Sequence, residues 1–415
     1  MYNILVMLID TLIKDKFTEV NWDNKEKIMS ISKLTKDFES GGILTQVLKG
    51  INFDLFEGEF LCLLGESGCG KTTLLKMLVE SQNLSYAWFN GDEPDVRVML
   101  PNKTSTELKR LIGDKKLLII DEAQRIENIG ITLKLISDNM PDLITVASGS
   151  SSFELANTVK EPLTGRKIEY TLLPFSTAEL VAESNRFEEK RLLENRLIYG
   201  FYPDVVSSGE DSKDILMQLA DSYLYKDILI WEKIQKSERL DKLLQALAFQ
   251  VGSQVSYNEI GQIVGLNSET VEKYVILLER AFVIFRLPAF SRNLRNELKK
   301  TRKIYFYDNG IRNAVIKNFA PIDLRNDLGA LWENFCISER IKRNLFSGYK
   351  PNCYFWRTTQ QQEIDYIEEF DGQIKTFEFK YNPKSKARMP LTFAKTYPNH
   401  EFNVITPENY QDWLL

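Results

Sequence analysis

Histidine is almost missing from this chain: His400 is the only one in 415 residues. Its scarcity argues against His-based catalytic triads and removes the usual nitrogen ligand of zinc. Cysteine is also sparse. The four cysteines are scattered and form no C-x-x-C pair, which argues against zinc ribbons and disulfide frameworks. Reduced cytoplasm is the expected location. No segment reaches the roughly eighteen uninterrupted apolar residues of a spanning helix. The apolar start, MYNILVMLIDTLIK, is short, is broken at Asp10 and has no basic run before it. It reads as a small packed or loosely ordered extension, not as a signal peptide or membrane span. Positive charge is not in excess either. With a net charge of −5, any surface for nucleic acid must be local.

What is present is globular. Hydrophobic residues make up 43% and charged residues 27%, ordinary values for a chain long enough to form two or three domains. The most informative stretch is Leu61 to Leu75, LCLLGESGCGKTTLL. An apolar run predicts a buried parallel strand. A full G-x-x-x-x-G-K-[ST] pattern follows: Gly65, Glu66, Ser67, Gly68, Cys69, Gly70, Lys71 and Thr72, with Thr73 next. The glycines let backbone N–H groups converge on phosphate oxygens. Lys71 reaches the β- and γ-phosphates, Thr72 ligates Mg²⁺, and the helix beginning there adds its dipole. ATP with Mg²⁺ is the expected ligand pair. A disulfide at Cys69 would obstruct the nucleotide. A second apolar strand, KLLIIDE, ends in Asp121 and Glu122. Asp121 is expected to hold the Mg²⁺ water shell, and Glu122 to polarise the attacking water as general base.

From about Ile31 to Leu78, through VLKGINFDLFEGE and GESGCGKTTLL, the chain resembles the nucleotide-binding domain of ABC transporters. That resemblance implies that Phe38 stacks on adenine, with a core aromatic as the alternative. The likeness then stops: the Leu-Ser-Gly-Gly-Gln signature is missing, and His400 is too distant to act as a switch histidine. From Tyr86 onward the pieces LLIIDEAQRIENI, LITVASGSSSFEL, EPLTGRKIEYTLLPFSTAEL, GFYPDVV and YLYKDIL resemble another family. It comprises the AAA+-like P-loop ATPases of bacteria and archaea that carry a C-terminal domain of unknown function. This resemblance covers about four-fifths of the chain. It implies a γ-phosphate sensor at Ser148 or Ser150, an ordinary strand-end turn being the alternative. It also implies a nucleotide-contacting or neighbour-positioning role for Arg166, against a solvated arginine. The phosphate loop departs from that family by lacking arginines before GKT.

Farther on, Leu240 to Val251, a helix capped at Ser256 and a helix capped at Asn267 or Ser268 predict a winged helix-turn-helix. Its recognition helix carries Glu269, Glu272 and Glu279 against Lys273 and Arg280. That chemistry suits packing better than phosphate. Arg292, Arg295, Lys299, Lys300, Arg302 and Lys303 then form a basic run that either tracks a nucleic-acid backbone or is a solvated linker or wing. The last third, with a helix from Gly329 and strands CYFWRT, EIDYIEEF and IKTFEFKY, resembles a restriction-endonuclease-like core. The resemblance makes Glu333, Asp365 and Glu378 ligands of Mg²⁺ or Mn²⁺, and Lys380 the residue that orients or deprotonates water. The alternative is a retained fold without activity.

The expected architecture is therefore α/β. Residues 1–30 are an extension, 31–185 a P-loop ATPase sheet with helices, 186–303 a helical and winged-helix domain, and 304–415 a small restriction-endonuclease-like domain. The expected function is ATP hydrolysis that controls a nuclease-like module in a nucleic-acid transaction or defence. An ATP-switched interaction protein with an inactive C-terminal domain is the alternative, and an ABC-type transport ATPase the weakest of the three. DNA, RNA, a protein partner and self-association remain open as partners.

Overall fold

Register shifts let an irregular sequence stay in one ladder, and the N-terminal strands use several of them. Over residues 31–61 the sequence predicts short strands. The computed structural model instead pairs β1 (Lys27–Ser40) with β2 (Ile43–Phe56), antiparallel and 14 residues each. The ladder carries four register shifts, all between Lys27 and Asp37 of β1. The structure describes residues 27–40, 43–56, 60–81, 84–149, 168–222, 237–291 and 302–415, and of the first two segments only the backbone. Ser150, Arg166, the segment YLYKDIL, the basic run from Arg292 to Lys300 and the side chain of Phe38 lie outside what is described.

Parallel strands covered on both faces need continuous apolar runs. β3 (Phe60–Gly65), β5 (Leu117–Asp121) and β6 (Ile144–Gly149) supply them and are buried along their whole lengths. β4 (Tyr86–Asn90) and β7 (Ile168–Leu172) form the half-buried edges, giving the order β4-β5-β6-β3-β7 with every pair parallel. Helix α1 (Lys71–Ser81) contributes Leu74, Leu75 and Leu78 to a core with Leu61, Leu63, Leu117, Ile119, Ile144 and Val146. This is a P-loop NTPase sheet. The placement of β6 between β3 and β5 matters for the site: residues ending β6 lie between the phosphate loop and the acids ending β5.

The chain separates into two compact units, Met1–Leu173 and Pro174–Leu415. The second begins with short helices: α2 (Thr177–Glu183), α3 (Arg186–Arg191), α4 (Leu193–Tyr199), α5 (Pro203–Ser208) and α6 (Ser212–Ser222). Ser176 and Glu179 close a full capping box on α2. Next come α7 (Ser237–Phe249), β8 (Gln254–Val255), α8 (Tyr257–Val264), α9 (Ser268–Arg280), β9 (Ile284–Leu287) and β10 (Arg302–Phe306). Ser256 and Asn267 cap α8 and α9, as the sequence predicts. β10 lies at the centre of a small sheet, β8-β10-β9.

α10 (Asn309–Val315) precedes α11 (Leu328–Phe346). The sequence predicts an apolar face for α11 at Ala330, Ile337 and Ile341. Ile337 is buried, but Ala330 and Ile341 are only half-buried, and burial extends around the helix to Asn334, Glu339, Arg340 and Lys342. Those polar groups are tolerated because each has a partner. Arg340 makes a two-pronged pair with Glu368, 2.8 Å on each arm. Glu339 accepts from the Thr177 N–H at 2.5 Å, and Lys342 donates to the Phe175 carbonyl at 2.9 Å. The chain ends in a mixed sheet: β11 (Asn352–Arg357), β12 (Glu363–Phe370), β13 (Gln373–Phe379) and β14 (His400–Ile405), paired in that order, with β13 and β14 parallel.

Candidate functional site

The phosphate loop turns where only glycine turns easily. Gly68 and Gly70 have φ of 83° and 97°, left-handed values that an L side chain resists. Gly65 is fixed for a different reason: a Cβ there would collide with the Leu172 carbonyl of β7. Lys71 is buried, and its ammonium donates to the loop's own Gly65 and Glu66 carbonyls at 2.7 and 2.8 Å. Burial pushes the Cys69 thiol up, against the pull of Lys71, so it stays protonated. Ser67 lies in the same turn, and Thr72 and Thr73 open α1.

Next to the loop, one hydrogen-bonded chain links three elements. The Thr72 hydroxyl donates to Asp121 Oδ2 at 2.9 Å. The Ser148 hydroxyl, at the end of β6, donates to Asp121 Oδ1. The Glu122 N–H reaches both Asp121 Oδ1 and Ser148 Oγ at 3.2 Å. Glu122 is left-handed, at φ 49°, and its carbonyl lies against Gly91, where no side chain would fit. Gln124, which the sequence reading passed over, donates to Glu122 Oε2 at 2.5 Å. Its position two residues after Glu122 was the available signal. A hydroxyl and a carboxylate 2.9 Å apart are oxygen donors of the kind a hard cation such as Mg²⁺ takes.

The second unit gathers Glu333, Asp365, Glu378 and Lys380. Lys380 donates to Glu378 Oε2 at 2.9 Å and lies 4.0 Å from Asp365 Oδ2. Asp365 Oδ2 also accepts the Phe379 N–H at 2.9 Å. Glu378 and Lys380 therefore share a face, while Phe377 and Phe379 pack on Trp413 on the other. Burial, helped by Asp365, lifts the carboxyls of Glu333 and Glu378 to about 7 each. Among the described residues, no three His, Cys, Asp or Glu side chains are grouped so as to hold a metal ion.

The basic run needs correcting where it is described. Lys303 is 1% exposed and turned inward, 3.0 Å from Glu333 and 2.5 Å from Glu363. Arg302 pairs with Glu272 at 3.1 Å and with the Tyr257 hydroxyl at 3.1 Å. Neither is a free backbone-tracking cation, because β10 alternates in the middle of its sheet and directs both to acids. Two of the acids on α9 are used in this way: Glu279 holds Arg286 at 2.5 Å, and Glu272 holds Arg302. The sequence reading also missed Tyr305 and Glu363 as members of the cluster.

Fold and site together define a P-loop ATP-binding domain. Residues 57–181 match the family described as AAA domain, 190–321 the Domain of unknown function (DUF8612), and 328–414 the Domain of unknown function (DUF4143). An uncharacterized protein of Mycobacterium tuberculosis is 26% identical over 331 residues, 79% of this chain and 71% of its own length. An uncharacterized protein of Haemophilus influenzae is 26% identical over 377 residues, 85% of this chain and 88% of its own. The spermidine/putrescine import ATP-binding protein PotA of Marinobacter nauticus is 50% identical, but over 54 residues, 13% of each chain. The likeness to an ABC-type protein is thus real and short. Among the described residues, no helix is long and apolar enough to cross a membrane.

Proposed function

We propose that the first unit binds and hydrolyses ATP with Mg²⁺ and that this cycle switches the second unit. The observation that carries the ATPase part of the proposal is the single hydrogen-bonded chain through Thr72, Asp121, Ser148 and Glu122. The chain joins the phosphate-loop helix to the backbone N–H of the proposed base. In this reading Gly65 to Thr73 cradle the phosphates, and Lys71 leaves its own loop carbonyls to meet them. Thr72 and Asp121 hold the Mg²⁺, which supplies charge neutralisation. Ser148 senses the γ-phosphate, with Ser150 as the alternative sensor, Glu122 polarises the attacking water, and Arg166 keeps the role the family resemblance implies. Lys71→Ala should abolish tight ATP binding. Glu122→Gln should keep binding and slow turnover by roughly a hundredfold or more. Equal turnover in wild type and Glu122→Gln would remove Glu122 as base.

A second reading makes the switched module nuclease-like, acting on DNA or RNA. Asp365, Glu378 and Lys380 on one face favour it, and α7, α8, α9 with β8-β10-β9 read as a winged helix beside it. Cleavage of DNA or RNA with Mg²⁺ or Mn²⁺, lost in Asp365→Ala while ATP turnover survives, is the expected outcome. No cleavage with either metal, with or without ATP, would leave a partner-docking module instead.

A further inference from the structure

We propose that Lys303 is the resident cation of the acid cluster in the second unit, holding the place that a divalent ion would need between Glu333 on α11 and the acids of β12. The ammonium lies 3.0 Å from Glu333 Oε1 and 2.5 Å from Glu363 Oε1. A divalent ion needs oxygen ligands at about 2.0–2.6 Å. Here one oxygen of each carboxylate already faces a protein donor. Glu333 Oε1 also takes the Tyr305 hydroxyl at 2.6 Å, and Tyr305 follows Lys303 by two residues on the same face of β10. Asp365 Oδ2 takes the Phe379 N–H at 2.9 Å, and Glu378 Oε2 takes Lys380 at 2.9 Å.

Lys303 cannot easily swing away. Its backbone is held on both sides of the small sheet, opposite Gln254 on β8 and Leu287 on β9. Its side chain is almost fully buried and lies 5.5 Å from the centre of the Phe355 ring. A buried ammonium stripped of its acids is costly, so the lysine and the carboxylates hold one another. The cluster is then a cross-link between the β8-β10-β9 sheet, α11 and β12, complete without a metal. This is independent of the ATP reading and runs against metal loading of the second reading in this arrangement.

The test is calorimetric titration of Mn²⁺ into the full chain without nucleotide, in four forms: wild type, Asp365→Asn, Lys303→Met and the double variant. Asp365→Asn marks binding that belongs to this cluster rather than to the phosphate loop. In wild type, no Mn²⁺ binding should depend on Asp365. Lys303→Met should gain about one equivalent of Mn²⁺ that wild type does not bind, and Asp365→Asn should remove it. A folded Lys303→Met that gains no Mn²⁺ overturns the proposal. So does wild-type binding that Asp365→Asn abolishes. If Lys303→Met does not fold, the wild-type and Asp365→Asn titrations decide alone, in the same two directions.

Discussion

At the scale of single residues, the first unit turns on one hydroxyl. Ser148 is fully buried, donates to Asp121 and accepts from the Glu122 N–H. Removing it takes one hydrogen bond each from Asp121 Oδ1 and the Glu122 N–H, which keep each other, a loss of about 0.5–1.5 kcal/mol per bond. If that loss falls on the transition state, turnover drops about tenfold for each 1.4 kcal/mol. Ser148→Ala should therefore lower the steady-state rate of ATP hydrolysis by about tenfold or more. Its nucleotide affinity, read by a fluorescent analogue, should stay near wild type. An unchanged rate would reduce Ser148 to a packing residue. This much was readable from local order: a strand, a glycine-rich loop and a strand ending in Asp-Glu need only neighbours in sequence. Lys303 was not readable in the same way. Its partner Glu333 is 30 positions away and on another element. In a run of basic residues, nothing local marks the one that turns inward.

At the scale of elements, α11 is the member with most at stake. A helix buried on nearly every side usually reads as apolar. This one carries Arg340, whose guanidinium is clamped by Glu368 and lies 5.0 Å from the centre of the Trp413 ring. Breaking a buried pair by removing one partner strands the other charge, at about 3–5 kcal/mol. Arg340→Met and Glu368→Gln should each destabilise the second unit by about that amount in urea unfolding. The double variant should cost clearly less than their sum. Additive losses would mean that the two groups do not act as a pair. The strands around this helix were legible from alternation, and the capped helices α8 and α9 from Ser256 and Asn267. The all-round burial of α11 was not, because charged residues look solvated until their partners on β12 are in view.

At the scale of the whole molecule, two compact units predict two thermal transitions. ATP with Mg²⁺ should raise the one belonging to the first unit, since a ligand stabilises only what it binds. The other should respond to pH through Glu333 and Glu378. Their folded carboxyls titrate at about 7, above the ordinary value of 4.5. The stability they contribute is complete below about pH 4.5 and is lost as pH rises through about 7. Glu378→Gln should flatten the fall in melting temperature over that window in scanning calorimetry; an unchanged slope would place the titration elsewhere. The Thr177–Glu339 contact carries a further consequence, for protein synthesis. The first sheet has its last strand once Leu172 is made. Thr177 comes off the ribosome five residues later, yet the acid that receives its N–H follows by 162. At about 5–20 residues per second, that is a wait of roughly 8–30 s. During that interval the start of the second unit is a nascent segment without its anchor, open to chaperones and proteases while the first sheet is already whole.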